Sequence, residues 1–398
     1  MAEAARNADA VPRALWADAG WRAVAAAFVF NGFLFGIWAS RVPAFKARFD
    51  LEPGTLGLLL LALAGGAITS FPLAGYLSER RGTQRLTLSC AMGYGPALLL
   101  LSIAPTPALL GAALFVFGAF HGAMDVAMNG WAARVERRLG RSTMSIFHAL
   151  FSLGAGLGAA SGFGAVRIGW EPEAHFTTLV LLGALACLPL ILRGMSTEPP
   201  VAASGEQAPP LALPSGGLIL VGLIAFAASM GEGAMADWSA VFLTTALAAT
   251  EAQAALGYAV FSLAMVLTRL SGGLLVQRFG PVAVTRASGA AAVLGLATAI
   301  LSGSLGVALT GFALVGVGYA VVMPLVFSRA ANDPAMRPGP AIASVATLGY
   351  GGMLLGPAIV GFIAQVTSLA LAFGALAALA CLPILLGGRM APPDPRRP

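Results

Sequence analysis

The chain has 398 residues, of which 58% are hydrophobic and only 10% charged, where a soluble domain carries about 45–50% and about 25%. With a mean hydropathy of +0.85 there is too little polar surface to coat a soluble core, which excludes an ordinary globular enzyme and makes lipid the solvent. The formal net charge of +6 and the pI near 9.8 bear on orientation in the membrane rather than on nucleic acid, because in a multispanning chain the placement of basic residues is what matters.

In chain order, residues 1–20 carry Arg6, Asp9, Arg13 and Asp18 and contain no apolar run before Trp21. They read as a cytoplasmic tail without a signal peptide. Apolar segments bounded by charge or by Pro and Gly follow at 21–44, 55–78, 85–103, 107–132, 143–166 and 174–193. After a Pro-rich polar linker over 194–214 come 215–243, 254–277, 283–302, 304–328, 340–366 and 368–388, with a second cytoplasmic tail at 389–398. Each segment suits one crossing of about 20 residues. The expected fold is an all-α membrane protein of twelve transmembrane helices in two six-helix bundles, 21–193 and 215–388. Cys90, Cys187 and Cys381 stand far apart without CxxC spacing, and the three histidines are scattered, so no metal, cofactor or disulfide framework is expected.

Arginine and lysine settle the orientation. If the N-terminus is inside, eighteen fall on inner segments, Arg80, Arg134 and Arg278 among them. Arg41, Lys46, Arg48 and Arg167 fall outside, and Arg269 lies within a span. That asymmetry places both termini in the cytoplasm of a cell inner membrane. The halves also repeat: Gly75, Leu77, Arg80 and Gly82 in GYLSERRG recur as Gly273, Leu275, Arg278 and Gly280 in GLLVQRFG, after the second span of each half.

Polar residues at mid-depth mark a transport path, since a carrier binds near the bilayer midplane. Asn31 and Asp125 each lie nine residues from an inner arginine, Arg22 and Arg134, about 13 Å along a helix. On the first span Asn31, Phe35 and Trp38 form a stripe of one amide and two aromatic rings, suited to a sugar or an amphipathic solute, to interhelical packing or, for Trp38, to an interface anchor. On the fourth, His121, Asp125 and Asn129 share a face. A carboxylate there costs about 2.5–3.5 kcal/mol on insertion scales, which makes Asp125 the expected proton acceptor, with a structural hydrogen bond as the alternative. His148 on the fifth span is a solute-contact or packing residue. Glu232 on the seventh is a second proton-coupling or gating acid, while Asp237 beside Trp238 is placed near the outer surface. Arg269 on the eighth either pairs with Glu232 or binds an anionic solute. Glycines on the fifth and eleventh spans suit sliding helices or close packing in a static bundle, and Pro324 and Pro357 suit kinks. Glu79 and Arg80, with Arg134, Arg137 and Arg138 on the next inner loop, are expected to form a gate of breakable ion pairs. Gly75, Gly82, Arg278 and Gly280 belong to the same gating set.

The segment from Gly75 to Arg85 resembles the loop motif G-x-L-x-D-R-x-G-R-[RK] of the major facilitator superfamily of secondary transporters, with Glu79 at the acidic position and Thr83 and Gln84 in place of the basic pair. HGAMDVAMNGW (121–131), STMSIFHALFSLG (142–154) and EGAMADWSAVFL (232–243) are similar to the fucose permease-related branch and its bacterial inner-membrane members. The resemblance implies alternating access around a central cavity, with Asp125 as a proton or substrate group. The first-helix acid of the permease has only Asn31 nearby. The basic residue that drug antiporters carry on helix four would fall at Gly118, and their Gly-Pro signature is missing from 154–162.

These features describe a monomeric, proton-coupled or facilitative carrier of a small polar solute, a sugar among the candidates, with the lipid bilayer as its surroundings. Proton-driven efflux of an amphipathic drug or metabolite is the second transport reading. A membrane enzyme or scaffold is the third, though neither HExxH nor GxSxG occurs.

Overall fold

The computed structural model describes residues 15–141, 143–195 and 214–391, and among these there is no β-strand. Most of the 194–214 linker and the ends of both tails lie outside the described residues. The first half consists of α1 (Ala19–Arg48), α2 (Pro53–Arg81), α3 (Thr83–Ile103), α4 (Pro107–Leu139), α5 (Met144–Arg167) and α6 (Pro172–Arg193). The second opens with α7 (Leu218–Leu247) and the run Glu251–Leu301, which breaks at Gly280 into α8 (251–279) and α9 (281–301). It closes with α10 (Leu305–Ala331), α11 (Pro338–Val366) and α12 (Leu369–Met390). These runs are long and apolar enough to make twelve crossings. Large apolar side chains such as Leu185 (74% exposed) and Leu274 (71%) stand on the outside, as a surface solvated by lipid requires. The protein is a multi-pass membrane protein of two six-helix bundles.

Local chemistry sets the helix starts. Pro53, Pro107 and Pro172 open α2, α4 and α6 in the first turn, where a missing N–H costs nothing. Asp18 caps α1 by accepting from the Trp21 amide (2.7 Å), and Thr250 with Gln253 forms a capping box on α8. The repeated motif ends in matching turns: Gly82 (φ 82°, ψ 144°) joins α2 to α3, and Gly280 (φ 78°, ψ 160°) joins α8 to α9. Both conformations lie in the region that a Cβ disfavours, which accounts for the glycine at each position of the repeat. The helix over 107–132 runs on to Leu139, because its polar last turns remain good helix formers after the apolar pattern stops.

The span over 304–328 is not one continuous helix. It divides between Leu305–Tyr319 and Val322–Ala331. Pro324 has no N–H to give the Ala320 carbonyl one turn earlier, so the ladder opens there.

Within each half, glycines bring backbones into contact. A Cβ on Gly36 would overlap the Ala155 carbonyl of α5, and one on Gly154 or Gly158 would overlap the Val29 or Phe33 carbonyl of α1. Of the two readings open for those positions, close packing is the one present: Gly154 and Gly158 lock α5 against α1 inside one half, because only a bare backbone fits. Gly156, by contrast, faces Ser262 of α8, and Gly162 lies between Ser40 of α1 and Ala255 of α8. The halves meet chiefly along α5 with α8 and α2 with α11.

Candidate solute cavity between the halves

The two halves are joined most firmly at the end carrying the α1–α2 and α7–α8 turns. There Arg41 Nε lies 3.0 Å from Glu251 Oε1, the arginine side chain 3% and the glutamate 30% exposed. Arg41 Nη2 donates to the Trp170 carbonyl (3.1 Å), while Nε and Nη1 have no aligned acceptor. The contact to Glu251 is thus an ion pair without hydrogen-bond alignment. Alongside it, the start of α2 leaves amides unpaired, as every helix does. Gln365 of α11 fills that need from the other half: its Oε1 accepts from the Gly54 amide (2.8 Å) and its Nε2 donates to Glu52 Oε2 (2.9 Å). Gly57 and Gly361 let α2 and α11 touch just below. At the opposite end, a Cβ on Gly75 or Gly273 would meet nothing within 4 Å.

Between these ends polar groups converge from both halves. On α1, Asn31 is fully buried and its Nδ2 donates to the His121 carbonyl (3.4 Å), while its Oδ1 has no partner. Phe35 stacks on His121 (5.0 Å between centroids) and meets Tyr258 of α8 edge-on (6.3 Å, 76°). His121 is fixed by a 2.9 Å hydrogen bond between its Nδ1 and the Tyr94 hydroxyl of α3. One turn along α4, Asp125 Oδ1 accepts from Asn129 Nδ2 (3.0 Å), and the same amide donates to the Asp125 carbonyl (2.9 Å). Among the described residues no cation pairs with Asp125, and Tyr350 of α11 lies within its electrostatic reach. Tyr350 in turn meets Phe71 of α2 (5.3 Å).

Arg269 ties four helices together. Its Nε donates to the Ala320 carbonyl (3.2 Å), the acceptor that Pro324 leaves free on α10. Its Nη1 donates to the His148 carbonyl (3.3 Å) and Ser152 Oγ (2.5 Å) on α5, and its Nη2 to Glu232 Oε1 on α7 (3.3 Å). Of the two roles open to Arg269 from sequence, pairing with Glu232 is the one present. Each guanidinium nitrogen makes a hydrogen bond, and four of the five N–H donors are used, leaving one on Nη2.

Three other expectations need correction. Trp38 does not continue the Asn31–Phe35 stripe into the cavity: it is buried against Phe45 (5.2 Å), which stacks on Phe176 of α6 (6.1 Å), an aromatic column inside the first half. The His148 ring packs edge-on against Phe28 (5.4 Å), and it is the backbone carbonyl of His148 that reaches Arg269. Asp237, placed near the outer surface as a solvated or capping residue, is not solvated. It is 8% exposed, and it shares the electrostatic surroundings of Tyr258 with Glu232 and Arg269.

On the inner loops, several charged side chains find partners within the first half or on their own helix. Arg138 binds Asp18 (2.6 Å), the α1 cap, and Arg134 donates to Thr83 Oγ1, both within the first half. Arg80 lies over the Tyr76 ring of its own helix (5.0 Å) and Arg278 over Phe279 (5.4 Å). Glu136 Oε2 accepts from the Thr143 and Met144 amides (2.6 and 2.7 Å), capping α5. Sequence reasoning missed Tyr94, Ser152, Tyr258, Glu52, Gln365 and the Arg41–Glu251 pair. Only Arg41 and Glu251 gave any signal, as charges next to span ends.

The chain matches the family model of the Major Facilitator Superfamily over residues 24–337. It is 46% identical to the "Uncharacterized transporter y4wD" of Sinorhizobium fredii across 92% of this chain and 97% of that protein. It is 33% identical to the membrane protein MosC of Rhizobium meliloti across 87% and 84%. In fold it resembles a point mutant of the nucleoside transporter NupG (TM-score 0.72, 13% identity, 94% and 100% coverage). It also resembles a D-xylose-proton symporter (TM-score 0.71, 15% identity, 93% and 96% coverage).

Proposed function

The chain belongs to the major facilitator superfamily, a family of membrane transporters, and from that premise we propose that it carries a small polar solute across the cell inner membrane by alternating access, coupled to protons through Asp125. The observation that carries the coupling is the isolation of this carboxylate. Asp125 is placed at mid-depth, and among the described residues its side chain is hydrogen-bonded only by Asn129 on its own helix, so a proton is the simplest neutralising partner when the site is sealed from water. Glu232 follows Arg269: when the halves separate and the Arg269–Ser152 bond breaks, the Glu232 pair is free to rearrange, which links solute movement to charge movement.

With both termini cytoplasmic, as the arginine distribution requires, the Arg41 end faces outward. The arrangement is then closed outside, and the free glycines of the two repeated motifs mark the inner side. Closing that side would bring Glu79, Arg80, Arg134 and Arg278 together as the inner gate, with Gly75, Gly82 and Gly280 giving room and tight turns. The bundles 21–193 and 215–388 move as rigid units on the 194–214 linker, in a monomer. Solute contacts fall to Asn31, Phe35 and Asn129, an amide–ring–amide set suited to a hydroxylated ring. A second reading, efflux of an amphipathic metabolite, draws on the aromatic walls of Phe35, Phe71, Tyr258 and Tyr350.

The test is transport in proteoliposomes of known orientation. Asp125→Asn is expected to abolish proton-driven accumulation and to retain solute counterflow. Full proton-driven accumulation by that variant would remove Asp125 from its role.

A further inference from the structure

Resting on the reading of this cavity as the solute site, we propose that the solute carries a protonated amine, and that Asp237 is the carboxylate that receives it beside the rings of Phe35 and Tyr258. Charge balance is the first argument. The mid-span acids Asp125, Glu232 and Asp237 outnumber the one mid-span cation, Arg269, whose guanidinium already holds Glu232, Ser152 and two backbone carbonyls. Asp237 is 8% exposed and, among the described residues, makes no hydrogen bond or ion pair. A buried carboxylate without a partner is costly. A site that keeps one is built to receive positive charge from outside the protein.

The second argument is the surroundings. Tyr258 lies within the fields of Asp237 and Glu232, with Phe261 stacked on it (5.8 Å) and Phe35 set edge-on (6.3 Å). Aromatic rings next to a carboxylate form the usual surroundings of a bound ammonium, because the ring quadrupole attracts the cation. Asn31 Oδ1 is a further buried acceptor lacking a donor, which an N–H or O–H of the ligand would satisfy. Asp237 also sits on the outer side of Glu232, five residues further along α7, so the amine would dock under the closed Arg41 end. Its polar remainder would extend toward Asn31 and Asn129.

The experiment compares three probes that share a ring and differ in one substituent: D-glucosamine, N-acetyl-D-glucosamine and D-glucose. Binding is read by thermal shift and by titration on the purified full-length protein. Glucosamine is expected to stabilise the protein at concentrations at which the two neutral probes do not. Asp237→Asn is expected to weaken glucosamine binding at least tenfold, and Asp237→Glu to retain part of it. Size-exclusion profile and ligand-free melting temperature of both variants check folding. Equal or stronger binding of the neutral probes overturns the amine assignment, as does unchanged glucosamine affinity in Asp237→Asn or binding of none of the three. Binding of glucose that is lost in Asn31→Ala and indifferent to Asp237 would leave the cavity as the solute site and refute only the amine. No solute-dependent response to changes at either residue, together with intact proton-driven transport in Asp125→Asn, would refute the cavity itself.

Discussion

Replacing Glu251 by glutamine tests whether the Arg41 end is a latch. The substitution keeps the shape of the side chain and removes the charge 3.0 Å from Arg41 Nε. Two unit charges about 4 Å apart attract by about 4 kcal/mol at an effective dielectric near 20. Breaking a fully buried pair costs about 3–5 kcal/mol, while exposed pairs contribute about 0–1. Here the arginine is 3% and the glutamate 30% exposed, and the Trp170 carbonyl still accepts from Arg41 in the variant. An intermediate value of about 2 kcal/mol follows, or roughly a thirtyfold shift away from closure at this end. Spin labels at Asp50→Cys on the α1–α2 turn and Ala246→Cys in the last turn of α7, in a background without the three native cysteines, would report the distance by pulsed electron paramagnetic resonance. Glu251→Gln should enlarge the long-distance population by about that factor. A double variant, Arg41→Met with Glu251→Leu, should restore closure, since an apolar pair of similar volume has no charge to strand. An unchanged distance distribution in Glu251→Gln, or opening in the double variant equal to that in the single one, would refute the latch.

Gln365→Ala should act in the same direction by about 1 kcal/mol, the worth of a helix cap, read with the same labels; no shift would mean that water replaces the amide at no cost. Arg269→Lys should lower the melting temperature of the purified protein measurably, because one ammonium cannot reach four acceptors on three other helices, and an unaltered melting curve would refute its role as a tie. Gly36→Val should abolish folded yield in a monodispersity assay, since its side chain would collide with the Ala155 carbonyl, whereas Gly273→Ala, which meets open space, should be tolerated. Equal yields of the two variants would contradict the backbone contact between α1 and α5.

Comparison of particular elements shows which features were legible in the sequence. Twelve crossings could be read because each is a local run of apolar residues, and the bilayer imposes one length on all of them. The turns at Gly82 and Gly280 could be read because the backbone there excludes a Cβ and the repeat displays the requirement twice. The face shared by His121, Asp125 and Asn129 followed from helical periodicity alone. The gate pairs, in contrast, were assigned from proximity along the chain. Arg138 instead reached Asp18, a partner 120 positions away, because loop charges are long and flexible and many partners lie within reach.

The sequence by itself therefore determined the solvent, the number of spans, the repeat, and the depth of Asn31 and Asp125, all of which depend on short windows of residues. The tertiary structure decided how those depths are used. It placed Trp38 in a packing column, fixed every nitrogen of Arg269, buried Asp237, and set Gln365 as a cap on a helix 311 residues away. Such contacts arise only when two bundles meet, and the free energy of a buried charge depends on what the other bundle sets against it.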